Sequence, residues 1–309
     1  MSIGAAETAA PGARLPPPFH YRVSWQPRNW RPGDHPAAVS GEGGAFRGER
    51  LLAAAAEARS LSIRASLRDP LRRLWVREHQ QRATLDVFVV ADVSRSMRIG
   101  GQGRYCHAVA DLMASAALSA YRGGDRIGAI CASARIDPRL VIMPARGVQR
   151  IMALARQVRA IADPNARQES GVDSVDGMLD VWRRLSARRS LVLLVSDFLA
   201  PVEHWRRVLE TLRHHQVVPV VLEDPQAAPE LPRWGLVHLD DAESGRSRTL
   251  LMRPSLQQRL TTAGERRKHE LASMFESLGL KPFPLQPPFD AARLTEYFHG
   301  GSQGSRPRQ

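Results

Sequence analysis

The chain changes its pattern of apolar and polar positions at Leu85. Before that point the positions are irregular and broken by Gly and Pro, as in "YRVSWQPRNWRPGDHP" and "SGEGGAFRGERL". After it, short continuous apolar runs alternate with longer stretches of helical spacing. "LDVFVVA" (85–91), "DRIGAICAS" (125–133), "SLVLLVSDF" (190–198) and "QVVPVVLED" (216–224) have the length and β-branched content of buried strands. "RYCHAVADLMASAALSAY" (104–121), "VQRIMALARQVRAIA" (148–162), "SVDGMLDVWRRLSA" (174–187) and "VEHWRRVLETLRHH" (202–215) repeat apolar residues at three and four positions and predict helices. A strand, a turn at Asp240–Gly245 and a returning strand follow over 234–252. A long helix is predicted over 254–279, then a final edge strand in "LKPFPLQ".

Strands alternating with helices predict an α/β fold: an open, mostly parallel sheet with helices on both faces. Residues 21–84 read as a β-rich amino-terminal extension with short stretches such as Leu74–Arg77. Residues 1–20 read as a flexible lead, 85–285 as the main domain, and 286–309 as a partly disordered tail.

In such sheets ligands bind beyond the carboxyl ends of the strands, where the strand order reverses. Two predicted strands end there on carboxylates, Asp92 and Asp197. The first continues into Asp92-Val93-Ser94-Arg95-Ser96, so a carboxylate and two hydroxyls recur at every second residue. A hard divalent cation, Mg²⁺ or Mn²⁺, takes oxygen donors of this kind and keeps some of its waters. Hydroxyl ligands add no charge, so the cation stays electrophilic toward a partner's carboxylate. Plainer readings stand beside this one. Ser and Asp cap helices without metal. Asp197 also fits a turn at a strand end, and Asp173 fits the cap of a helix starting near Ser174.

Asp-x-Ser-x-Ser after an apolar strand resembles the metal-ion-dependent adhesion site of von Willebrand factor A domains. "VLLVSDF" is similar to the strand that carries that family's later aspartate, Asp197 here. "SGVDSVDGML" (170–179) stands where the family usually reads Gly-Thr-Asp. Here Val172 replaces the threonine ligand, and Asp173 or Ser170 would have to substitute. The resemblance therefore implies a metal site of Asp92, Ser94, Ser96 and Asp197, with Asp173 as a helper.

"RASLRDP" (64–70), "VREHQQR" (76–82), "GDRIGAI" and "LDDAESG" near Asp240 are similar to bacterial domain-of-unknown-function family 58, over about residues 20–285. That family resemblance implies a von Willebrand A-like fold. It also implies a non-enzymatic assembly factor working with a MoxR-type AAA+ ATPase. The client would be an enzyme or an acidic protein; in the methanol-oxidation branch it is methanol dehydrogenase. The family often carries Asp-Trp before Arg-x-Ser, whereas this chain reads Leu61-Ser62-Ile63-Arg64-Ala65-Ser66.

Composition adjusts the picture in a few places. The 309 residues are 43% hydrophobic and 24% charged, as in a globular protein. No run of eighteen apolar residues predicts a transmembrane helix, and no secretory signal is present, so the expected location is the cytoplasm. Cys106 and Cys131 are expected as buried thiols; they lack Cys-x-x-Cys spacing. The net charge of +13 is carried almost wholly by arginine, with lysine only at 268 and 281. The arginines are dispersed, which favours a solvated basic surface, then an acidic partner, over nucleic acid.

Other motifs lead nowhere. "GGQG" (100–103) lacks the Gly-Lys-Ser/Thr of a phosphate loop. "GGSQG" (300–304) lacks the strand-turn-helix context of a hydrolase nucleophile. His107 is expected to pack on its helix, and His214 and His215 to end one. Trp182 and Trp205 are expected in the core. The alternative functions are a metal-dependent hydrolase using the same carboxylates, for which no base–nucleophile pair is evident, and a basic nucleic-acid-binding protein.

Overall fold

The computed structural model describes residues 15–26, 35–52, 61–99, 103–161, 175–223, 234–240 and 247–300. Its centre is a six-stranded sheet built of β3 (Asp86–Asp92), β4 (Arg126–Ala132), β5 (Ile136–Ala145), β6 (Leu191–Ser196), β7 (Gln216–Leu222) and β10 (Phe283–Leu285). The order across the sheet is β10-β7-β6-β3-β4-β5. All neighbours are parallel except β4 and β5, which pair antiparallel. This is the predicted α/β architecture, of von Willebrand A-like type.

Both faces of the sheet are covered, and residue parity decides which side chain goes where. Val87, Val89 and Ala91 of β3 join Leu191, Leu193 and Val195 of β6 in one core. That core is closed by α3 (Arg104–Arg122), α4 (Gln149–Ile161) and α7 (Ala291–Gly300). Phe88 and Val90 join Val192 and Leu194 in the opposite core. That one is closed by α5 (Val202–Thr211) and the last turns of α6 (Pro254–Ser277), where Met274 and Phe275 are buried. Alanines and serines along α3 allow it to lie close to the sheet.

The amino-terminal extension contributes β1 (His35–Leu51) and β2 (Trp75–Ala83), an antiparallel pair, with α1 (Ile63–Arg68) beside them. A buried carboxylate latches the segments before the main domain to the sheet. Asp125 accepts hydrogen bonds from the Tyr21 hydroxyl and the Leu85 N–H, the latter at 2.7 Å, and lies 2.8 Å from His35 Nε2. The end of the expected flexible lead is packed: Phe19 is buried, its N–H donates to Ser119 Oγ at 2.8 Å, and its ring stacks on Phe298.

Several expectations need correction. Residues 174–187 were expected as an α-helix; over Asp176–Arg183 the chain is a 3₁₀ helix. Gly177 approaches the backbone of Ser133 and Arg135 so closely that an added Cβ would lie 2.6 Å from Ser133 O. A short, tight helix meets that approach while still burying Met178 and Val181. On it Trp182 is 48% exposed, so it is not a core residue, whereas Trp205 is fully buried. The expected partly disordered tail contains α7, because Leu294 and Phe298 complete one core. The antiparallel edge strand β5 and the short helix α2 (Arg95–Ile99) were not foreseen. β8 (Gly235–Asp240) and β9 (Ser247–Met252) form the expected hairpin; its turn at 241–246 lies outside the described residues. His214 and His215 follow α5 rather than end it. Both cysteines are buried.

Candidate metal centre

The site forms where β3 and β6, parallel neighbours, end side by side. The chain runs from β3 to β4 and β5 on one flank and then crosses to β6 on the other, so the strand order reverses here. Asp92 is the last residue of β3 and is 1% exposed. Its Oδ1 accepts the Ser94 N–H at 2.8 Å, which turns the backbone into α2. Its Oδ2 accepts the Ser196 hydroxyl at 2.8 Å, from the end of β6. Ser94 Oγ and Ser96 Oγ are 3.1 Å apart, and both residues are buried.

Asp197 follows β6 directly. Its Oδ1 accepts the Leu199 N–H at 3.0 Å. Its Oδ2 is buried and accepts no hydrogen bond. The next residue, Phe198, has φ of 53°, a left-handed backbone uncommon for a bulky side chain. Two features hold it there. The Phe198 ring is buried against Trp205, with centroids 4.5 Å apart. The Arg267 guanidinium on α6 donates to the carbonyls of Phe198, at 2.7 Å, and Ala200.

The electrostatics of the pair are unfavourable without a cation. Burial, and then the neighbouring Asp197 charge, push the Asp92 carboxyl up to about 6. Burial also raises the Asp197 carboxyl, against the pull of nearby hydroxyls and of Arg267. Two desolvated carboxylates side by side, one with an orphaned oxygen, are costly as they stand. A divalent cation would relieve both.

Among the described residues no three His, Cys, Asp or Glu side chains gather at one point. The donor set is thus two carboxylates and the serine hydroxyls, all hard oxygen. That chemistry fits Mg²⁺ or Mn²⁺ and does not fit a soft metal. Asp92, Ser94, Ser96 and Asp197 are brought together as the sequence suggested. Asp173, with Val172 and Ser170, lies outside the described residues. One Asp92 oxygen serves the turn ahead of α2, and the other faces β6. Ser196 was missed in the sequence, although it directly precedes Asp197 at the strand end. Arg267, seventy positions further on, left no local signal.

The family model described as protein of unknown function DUF58 matches residues 59–270. An uncharacterized protein of Mycobacterium tuberculosis is 27% identical over 254 residues, which cover 80% of this chain and 76% of that protein. A Paracoccus denitrificans protein, named as an uncharacterized protein in the moxR 3' region, is 34% identical over 101 residues, or 33% of this chain and 96% of that one. Among solved structures, BatB of Bacteroides thetaiotaomicron aligns at 12% identity and a TM-score of 0.38, over 71% of this chain and 98% of that one. No helix among the described residues is long and apolar enough to cross a membrane.

Proposed function

Because the chain belongs to the DUF58 family, we propose that it is a non-enzymatic assembly factor that works with a MoxR-type AAA+ ATPase through a metal-dependent adhesion site. The observation that carries this reading is the pairing of Asp92 and Asp197 at adjacent strand ends, with Asp197 Oδ2 buried and unpartnered. The Paracoccus denitrificans relative in the moxR 3' region supports the choice of ATPase.

Asp92, Ser94, Ser96 and Asp197 would hold Mg²⁺ or Mn²⁺, with Asp173 as helper. A bound ion would supply an electrophilic point able to take a carboxylate of the partner or client as a further ligand. The chain's own residues prepare that point. Ser196 holds Asp92 in one orientation, and Ser94 N–H fixes the turn. Arg267 clamps the loop that carries Asp197. The basic character of the chain favours acidic partners and speeds their encounter. In the methanol-oxidation branch the client is methanol dehydrogenase, and the protein acts in the cytoplasm, where the ATPase has its nucleotide.

The test is co-purification of the full chain with the MoxR-type ATPase of the same organism, with Mg²⁺ or with chelator, beside Asp92→Asn. The proposal expects a complex in Mg²⁺ that chelation and the substitution both dissolve. A complex indifferent to metal and to Asp92, or no complex, overturns it.

A further inference from the structure

A second site lies at the other end of the sheet. It is a cavity of about 530 Å³ at the amino ends of β6 and β7. The six or seven residues of those strands separate it by roughly 20 Å from the carboxyl-end pair. Three cations line it: Arg22 from the amino-terminal segment, Arg189 just before β6, and Lys281 between α6 and β10. No carboxylate among the described residues lines it.

The way these cations are held is informative. The Arg189 guanidinium lies over the Trp25 ring, 5.4 Å from its centre. Lys281 Nζ lies over the Tyr297 ring at 5.6 Å. An aromatic face orients a cation without neutralising it, so the charge stays available for another group. The Tyr297 hydroxyl in turn donates to the Lys281 carbonyl, which ties that ring to the segment carrying the cation.

Neutral donors complete the lining. Ser24 is anchored through its N–H and hydroxyl to Gln216 Oε1, at 2.9 and 3.1 Å. His215 Nδ1 accepts the Ser190 N–H at 3.3 Å, so the ring carries its proton on Nε2. Burial, with the charges of His214 and Arg189, keeps this imidazole neutral, its pKa lowered to about 4. The remaining walls are apolar, from Val23, Val217 and Leu280 among others. Cationic positions around an apolar floor, in a volume typical of small-molecule pockets, suit a ligand with an organic body and an anionic group.

We infer that this cavity is a binding site for a small organic oxyanion, a phosphate ester or a polycarboxylate, held by Arg22, Arg189 and Lys281. The inference is independent of the metal site.

The test is calorimetric titration of the metal-free full chain with adenosine monophosphate, pyrophosphate and citrate. The phosphate probes and citrate separate the two sources of the anion. Arg189→Gln and Lys281→Gln change exposed side chains and leave the core intact. The expected result is saturable binding of at least one probe, weakened about tenfold by either substitution. Arg139→Gln, which removes an exposed charge on β5, leaves that binding unchanged. Three results overturn the inference: no saturation by any probe up to about 10 mM, binding indifferent to Arg189 and Lys281, or binding weakened equally by Arg139→Gln, which would report only the overall positive charge.

Discussion

Ser196 Oγ donates to Asp92 Oδ2 at 2.8 Å across the seam between β6 and β3. The same hydroxyl oxygen accepts the Phe198 N–H at 3.0 Å. One buried side chain thus orients the first carboxylate and starts the loop that presents the second.

Ser196→Ala removes both bonds and leaves a carboxylate oxygen and a backbone N–H without their partner in the interior. A loss of about 2 kcal/mol is expected in urea unfolding, with metal affinity falling as well. Ser196→Thr retains the hydroxyl and recovers the affinity in the same titration.

Asp92→Asn has opposite effects on stability and binding. The metal-free protein gains, because the substitution removes a desolvated charge beside Asp197. Its melting temperature at neutral pH is expected to rise by about 3 °C. Added Mg²⁺ raises the melting temperature of the native chain and leaves that of the variant where it was.

Arg267 acts on the Asp197 carboxyl through its charge, and its guanidinium holds the carbonyls on either side of Leu199. Arg267→Met is expected to weaken Mg²⁺ binding by about tenfold through the Asp197 loop, at a cost of about 1–2 kcal/mol in stability. Arg267→Lys keeps the charge and a donor for these carbonyls and is expected to restore part of the affinity.

His215 predicts an acid limb. Its folded pKa of about 4 lies below the ordinary 6.5. The unfolded chain therefore binds a proton that the folded chain refuses between those values. The stabilisation from a neutral His215 is present above about pH 6.5 and is lost as pH falls toward 4. His215→Gln keeps an acceptor for the Ser190 N–H and is expected to flatten the fall in melting temperature across that window.

The carboxyl-terminal helix is a core element. Phe298→Ala removes a ring stacked on Phe19 and is expected to destabilise the protein by about 3 kcal/mol. Ending the chain at residue 286 exposes the apolar face that Leu294 and Phe298 cover, and the product is expected to aggregate on expression.

The parts of this fold legible in the sequence are those where one local signal decides. The runs Val87–Val90 and Leu191–Val195 are apolar on both parities because both faces of the sheet are covered. Asp92 and Asp197 were legible because each terminates such a run. β5 was not, since Ile136–Ala145 carries two prolines and an arginine and lies half exposed on an edge. α7 carries a start signal, with Asp290 Oδ1 accepting the Ala292 N–H at 2.8 Å, but the Gly- and Arg-rich residues after it have the composition of a tail. The 3₁₀ segment has helical periodicity, and the close approach of its Gly177 to the backbone of Ser133 and Arg135 is a contact no local pattern encodes. The Asp125 contacts with Tyr21 and His35 and the Arg267 clamp join residues about seventy or more positions apart, and no local pattern encodes them.

The most direct test of the metal site is a calorimetric Mg²⁺ and Mn²⁺ titration of the full chain beside Asp92→Asn and Asp197→Asn, with each protein shown to be folded by circular dichroism. The site described here predicts saturable binding of one ion by the native chain and none by either variant. A folded native chain that does not take up either ion, or variants that bind as the native chain does, would contradict it.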